Sequence, residues 1–251
     1  MKYFLPLLTV GSVFLSACAP TSPSAQHGQP SGGHKQGNTE ASNLVVRDWS
    51  TDTEIVFSVE DDGKTFTDYG ISHTKEMHLI VVRNDLQHFQ HLHPERDADG
   101  IWRIPFGTPA GGTYWIYADF IEKNELPHTI RIERTLSGNR GAEGINKNFE
   151  NVKTVDGYRI AFHPSVSGEE VTFRYDITNI NGDKPHLEEY LGAIGHSVLI
   201  SPSGDFIHTH ASGEREEPMF ITAPPRDPFY RAFTQFQING KVLTVDFDWQ
   251  P

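Results

Sequence analysis

The sequence predicts an all-β protein, and three features of its composition support this. The 251 residues include 16 Phe and 8 Tyr, together with many Val, Ile and Thr, which are residues that favour strands. The chain also contains 22 Gly and 16 Pro, which favour the turns between strands. Few stretches suit a long helix. We therefore expect strands joined by short loops.

Two parts of the chain resemble each other in order and spacing. Residues 77–82 (MHLIVV) match residues 195–200 (GHSVLI), and residues 89–93 (FQHLH) match residues 206–210 (FIHTH). Strand-like segments at 114–120 and 230–236 follow in each part. The repeat predicts two tandem immunoglobulin-like or cupredoxin-like β-sandwich modules, residues 44–136 and 153–251, joined by a linker at residues 137–152. A single fused sandwich is the alternative, which the repeat disfavours.

The N-terminus is typical of an exported protein. Lys2 precedes an apolar run at residues 3–14 that is too short to span a bilayer, and Leu15-Ser16-Ala17-Cys18 follows. This tetrapeptide resembles the bacterial lipobox, which implies a signal peptide at residues 1–18, cleavage before Cys18 and acylation of that cysteine, for example with palmitate. An ordinary secretion signal with an incidental cysteine is the alternative. Residues 19–43, rich in Ser, Gly, Pro and Gln, then predict a disordered tether.

These features predict where the protein is and what it contacts. We expect a lipid-anchored, extracytoplasmic protein of the cell envelope whose partner is the membrane. Cys18 is the single cysteine, which excludes a disulfide framework and a thiolate metal site in the folded part. The net charge of -12 argues against nucleic acid as a partner.

The repeated histidines are the candidate site. A strand that begins at His78 and ends near Arg83 is followed by a polar turn and a returning strand. If Arg83 faces His88, then His78 lies opposite His93, and His91 lies on the same face two positions away. In the second module, pairing Ile200 with Phe206 places His196 opposite His210 with His208 beside it.

Each set of three imidazoles is a workable ligand set for a copper or zinc ion. The predicted metal ligands share this repeated pattern: His78, His91, His93, His196, His208 and His210. Met77 has no counterpart at Gly195, so a methionine ligand for Cu(I) is possible in the first module only. His73 or His186 can supply a fourth ligand from a loop. Asp119 can orient an imidazole, although Gln235 stands at its equivalent position.

A structural role is the alternative for the same histidines. Their face also carries Ile80, Val82 and Phe89, which is typical of an inward face, so the rings can instead fix the end of a core by bonding to backbone carbonyls or to each other. The sequence leaves open how the modules are oriented and whether the two histidine clusters face one another.

The motifs at residues 75–94 and 190–210 resemble a group of secreted bacterial lipoproteins with immunoglobulin-like or cupredoxin-like domains, the YtkA-like proteins. The resemblance implies copper or heavy-metal handling and delivery to a membrane transporter or another envelope protein. A cell-surface structural or adhesive lipoprotein is the alternative. The sequence contains no nucleophile elbow, phosphate loop or metalloprotease helix, so we do not expect an enzyme.

Overall fold

A computed structural model describes residues 43–141, 144–223 and 225–251. The predicted signal peptide, Cys18 and the tether up to residue 42 lie outside the described residues. Within the described ranges all regular structure is β, which confirms the predicted fold class. No helix in this part of the chain has the length and apolar character needed to cross a membrane.

The N-terminal half, residues 43–137, forms two antiparallel sheets. Its strands are β1 (Leu44–Asp48), β2 (Glu54–Asp61), β3 (Lys64–Thr65), β4 (His78–Arg83), β5 (Gln90–Leu92), β6 (Glu95–Arg96), β7 (Trp102–Pro105), β8 (Gly112–Ile121) and β9 (Pro127–Leu136). One sheet has the order β1-β2-β7-β6, with β3 also paired to β2, and the other has the order β5-β4-β8-β9.

The C-terminal half, residues 152–250, repeats this plan. Its strands are β10 (Val152–Val155), β11 (Tyr158–Ser167), β12 (Glu170–Asn179), β13 (His196–Ile200), β14 (Phe206–His210), β15 (Met219–Thr222), β16 (Tyr230–Ile238) and β17 (Lys241–Trp249). The sheet β10-β11-β12-β15 corresponds to the first sheet of the N-terminal half, and β14-β13-β16-β17 corresponds to the second.

Among the described residues, three hydrophobic cores join the four sheets. Alternate residues of β4 point to opposite faces, so Leu79 and Val81 pack with Phe57 inside the N-terminal half. Ile80 and Val82 pack instead against the sheet of β13, in a core shared by both halves that we call the central core. A third core lies inside the C-terminal half. All six residues of β4 and all five of β13 are buried, which explains why neither strand alternates apolar with polar residues.

The central core has an approximate twofold symmetry. Phe89 stacks on Phe233 of the other half with ring centroids 4.4 Å apart, and Phe206 stacks on Tyr117 at 4.6 Å. Phe89 and Phe206 hold equivalent positions in the repeat. The two halves therefore present the same face of the same sheet to each other.

Candidate metal centre

The hairpin registers place the histidines as the sequence predicts. In the C-terminal half, His196 pairs with His210 and Ile200 pairs with Phe206. In the N-terminal half, Ile80 pairs with His91 and Leu79 pairs with Leu92, which is the register expected from Arg83 facing His88. We call His78, His91 and His93 the first triad, and His196, His208 and His210 the second triad. Within each triad, one ring nitrogen per residue lies within 4.8 Å of the others.

The two triads lie against each other at one end of the central core. The ring centroids of His78 and His208 are 5.4 Å apart, and those of His91 and His196 are 5.7 Å apart. The sequence correctly predicts an inward face, but this face points away from the core of each half and towards the other half. The six rings therefore form one cluster across the boundary between the halves.

Backbone carbonyls hold one ring of each triad from a preceding turn. Nε2 of His78 donates to the carbonyl oxygen of Ser72 at 3.0 Å, and Nε2 of His196 donates to that of Tyr190 at 2.7 Å. Each carbonyl stands six residues before its histidine. Because a carbonyl oxygen only accepts hydrogen bonds, the other nitrogen of each neutral ring, Nδ1, carries a lone pair.

A second ring of each triad is held by the opposite half. Nδ1 of His208 lies 2.8 Å from the Asp119 carboxylate, and Nδ1 of His91 lies 2.9 Å from the Gln235 amide oxygen. Asp119 pairs with His78 across β8 and β4, as Gln235 pairs with His196 across β16 and β13. The carboxylate predicted to orient an imidazole does so, but for the triad of the other half. Its Gln counterpart makes the equivalent contact.

In the described part of the chain, several of the remaining ring nitrogens lack a hydrogen-bond partner. Within the described residues, Nε2 of His93, Nδ1 of His196 and Nε2 of His208 are buried without a hydrogen-bond partner. In the first triad, Nδ1 of His78 and Nε2 of His91 instead lie 3.0 Å from each other. Unpartnered buried nitrogen atoms are costly, and a bound metal ion is one way to satisfy them.

Burial keeps most of these rings neutral. Removal from water is the main cause that lowers the pKa of His78 to about 3 and that of His196 to about 2. Burial also lowers the pKa of His93 to about 4, and it lowers the pKa values of His91 and His210 well below the usual range. Since metals bind the neutral imidazole, the cluster presents ligands in the required form at neutral pH.

Of the additional candidates, Met77 does not join the first triad. It packs in the core of the N-terminal half, on the opposite face of the chain from His78, because neighbouring residues of an extended strand alternate. At the equivalent Gly195, a Cβ atom would lie 2.9 Å from the rings of Phe220 and Phe236, which fill that space. The prediction that Met77 can be a Cu(I) ligand in the first module is therefore wrong.

The two loop histidines have different positions. The His73 ring stacks on that of His210, with centroids 3.5 Å apart, so His73 contacts the second triad rather than the first. Its nitrogens are not part of either ligand group. His186 is exposed and interacts with Glu188.

The end of each hairpin differs between the halves. The backbone N–H of Ala211 donates to the carbonyl oxygen of Gly195 at 2.9 Å and extends the ladder past His210. Pro94 stands at the equivalent position and has no N–H, and β5 ends at Leu92. The second triad is fully buried, whereas His93 of the first triad is only half-buried.

Sequence reasoning missed the cross-contacts between the halves. The available signal was the run of apolar residues without polar alternation in the MHLIVV segment, which is typical of strands covered on both faces. That pattern indicates a second packing partner but does not identify it.

Comparison with known proteins gives a family and distant structural likenesses. The family model of the domain of unknown function DUF8832 matches residues 43–137 and 153–250. No curated protein has a matching sequence.

Several solved structures are similar at low TM-scores. An S. aureus TarS fragment, residues 217–571, has a TM-score of 0.22 at 10% identity, covering 80% of this chain and 62% of the fragment. Dimeric latent PorU from Porphyromonas gingivalis has a TM-score of 0.25 at 13% identity, covering 88% and 21%. A DUF3823 family protein from Bacteroides uniformis has a TM-score of 0.22 at 13% identity, covering 75% and 94%. The chain thus spans less than two thirds of the first two proteins, and none of these likenesses indicates a function.

Proposed function

This chain belongs to the DUF8832 family, and from its histidine cluster we propose that it is an extracytoplasmic copper- or zinc-binding protein. The proposal depends on one observation. Among the residues that the structure describes, ring nitrogens without a hydrogen-bond partner lie close together, and the other nitrogen of each of these rings already donates a hydrogen bond. His196 and His208 each donate from one nitrogen to a fixed acceptor and direct the other, unpartnered, into the second triad.

The distances are compatible with such an ion. Nitrogens bound at about 2.0–2.1 Å to a tetrahedral zinc lie roughly 3.3 Å apart. The candidate nitrogens within each triad lie within 4.8 Å of one another, so small ring movements bring them to that spacing. A nitrogen-only set suits copper and zinc, and it does not depend on a thiolate.

The proposed role is metal handling rather than catalysis. The lipobox at Leu15-Ser16-Ala17-Cys18 and the resemblance to YtkA-like lipoproteins support a membrane-anchored protein that buffers metal or delivers it to a transporter. Two binding sets in one chain also suit a carrier better than an enzyme. These assignments rest on the sequence.

A structural role for the histidines is the second candidate, in a cell-surface lipoprotein with adhesive or scaffold function. The 3.0 Å approach of Nδ1 of His78 to Nε2 of His91 favours it, because a proton on Nε2 of His91 would join this pair by a hydrogen bond without an ion. The bonds from His208 and His91 to the opposite half also join the two sheets.

Metal titration of the full chain separates the two candidates. We expect sub-micromolar binding of Zn(II) or Cu(II), lost in a variant carrying His91→Ala, His93→Ala, His208→Ala and His210→Ala that keeps its β circular-dichroism spectrum. A control carrying His163→Ala and His186→Ala, at two exposed histidines, is expected to bind as the parent does. A parent that binds neither metal, together with a quadruple variant that unfolds, would support the structural role.

A further inference from the structure

We infer that the two triads are unequal, and that the second triad binds a divalent ion first while the first triad is a latent site. The inference rests on the proposed function and adds an order of filling. It follows from one chemical difference, the Asp119 carboxylate in the position that Gln235 occupies in the repeat.

Asp119 fixes His208 in the form that binds metal. An ionised carboxylate only accepts hydrogen bonds, so Nδ1 of His208 carries a proton, and Nε2 of the neutral ring then presents a lone pair. The carboxylate also receives a hydrogen bond from the Thr129 hydroxyl at 2.8 Å, which holds it in place. A carboxylate behind a ligating imidazole raises the basicity of that ligand, and its negative charge offsets part of the charge of a buried divalent ion.

Gln235 does not determine which nitrogen of His91 carries the proton. An amide can present either its oxygen or its NH2 group to Nδ1 of His91. The Thr244 hydroxyl lies 3.0 Å away on the other side of the amide and fits either orientation, because a hydroxyl can accept or donate. With the NH2 group turned to His91, Nε2 of His91 carries the proton and donates it to Nδ1 of His78 at 3.0 Å. With the amide in that orientation, the first triad closes on itself without a metal.

An ion must break this closure before it enters the first triad. The His78–His91 hydrogen bond is lost, the His91 proton moves from Nε2 to Nδ1, and the Gln235 amide turns over. In the part of the chain that the structure describes, no carboxylate beside His91 favours these changes as Asp119 does for His208. In the second triad, Nδ1 of His196 and Nε2 of His208 are already unpartnered, so binding displaces no hydrogen bond from them. The second triad is also better fixed, because the Ala211 N–H extends its hairpin while Pro94 ends the other.

Site-resolved titration of the full chain with Zn(II) tests the order. The ring nitrogens are followed by long-range 1H–15N correlation spectra, in which each ring reports its tautomer and its metal ligation. We expect the first equivalent to shift the rings of His196, His208 and His210, and the second equivalent to shift those of the first triad. Simultaneous filling with equal affinity, or first-triad filling first, would overturn the inference and leave the proposed function intact. A parent that binds no Zn(II) would instead defeat the proposed function.

Two reciprocal variants test the residues that set the order. Asp119→Asn is expected to weaken the first binding step by roughly 10- to 100-fold, because it removes the carboxylate behind a ligand. Gln235→Glu is expected to tighten the second step and to move the His91 signal to the tautomer protonated at Nδ1 before metal is added. An unchanged His91 tautomer in Gln235→Glu would contradict the argument even if Asp119→Asn failed to fold, and melting curves report the folding of both variants.

Discussion

Nδ1 of His208 donates across the boundary between the halves to the carboxylate of Asp119, 89 residues earlier in the chain, at 2.8 Å. Both groups are buried, with 3% and 5% of their surface exposed. Asp119 and His208 belong to sheets of different halves. The position of the His208 ring in the second triad therefore depends on how the two halves pack against each other.

Removing this bond is expected to destabilise the protein. Asp119→Ala leaves the buried His208 N–H without its acceptor and also removes the acceptor of the exposed Thr129 hydroxyl, so we expect the free energy of unfolding to fall by about 1–3 kcal/mol. Urea denaturation of the full chain measures the change. Asp52→Ala, at an exposed turn residue, is the matched control and is expected to change stability by less than about 0.5 kcal/mol. Equal stability of both variants would contradict a role for the bond in docking.

The stacked pairs of the central core are expected to control both stability and metal affinity. Phe206 is 3% exposed and stacks on Tyr117, so Phe206→Ala removes a large buried side chain between the halves and should cost about 3–5 kcal/mol. Phe206 also lies two residues from His208 on the same strand face, so we expect Zn(II) binding to weaken as well.

Urea denaturation and Zn(II) titration of the same samples check both effects. Trp49→Ala is the control, because the Trp49 side chain is 51% exposed. Loss of stability with unchanged Zn(II) affinity would show that the metal site does not depend on the packing of the central core.

The individual hairpins were predictable from the sequence, but the joining of their sites was not. The length of the loop between β13 and β14 sets the register of the hairpin, and the register places His196 opposite His210. Both are local constraints. The contact of His91 with Gln235 depends on how two covered sheets dock. In a strand such as β4, where every residue is buried, periodicity does not distinguish the face that meets its own half from the face that meets the other.

The position after each histidine motif provides a reciprocal test. Ala211→Pro removes the N–H that donates to the Gly195 carbonyl oxygen, so we expect a loss of about 1–3 kcal/mol and weaker Zn(II) binding at the second triad. Pro94→Ala restores an N–H at the equivalent position of the first triad and is expected to have little effect on stability. Denaturation curves and the His210 ring signals measure both changes. An Ala211→Pro protein with parent stability and parent affinity would show that this bond does not fix His210.

Acid is expected to unfold the metal-free protein at a higher pH than ordinary carboxylates would require. Burial lowers the pKa of His78 to about 3, that of His93 to about 4 and that of His196 to about 2, whereas each returns to about 6.5 in the unfolded chain. Below pH 6.5 the unfolded chain therefore binds more protons than the folded protein, and protons favour unfolding. The stability that depends on these rings being neutral is fully present above pH 6.5. It is lost as the pH falls towards the pKa values of the rings in the folded protein.

The slope of stability against pH measures this effect. Each such histidine contributes on the order of 1.4 kcal/mol per pH unit at full difference in protonation, so we expect a steep fall in the free energy of unfolding between pH 6.5 and 5. His93→Gln removes one of these groups and should make the slope shallower, whereas His163→Gln, at an exposed histidine, should not. Saturating Zn(II) is expected to move the fall to lower pH, because the ion binds the folded protein and competes with protons for the same nitrogens. A free energy of unfolding that stays constant from pH 6.5 to 5 in the metal-free parent would show that the rings are not held neutral by burial.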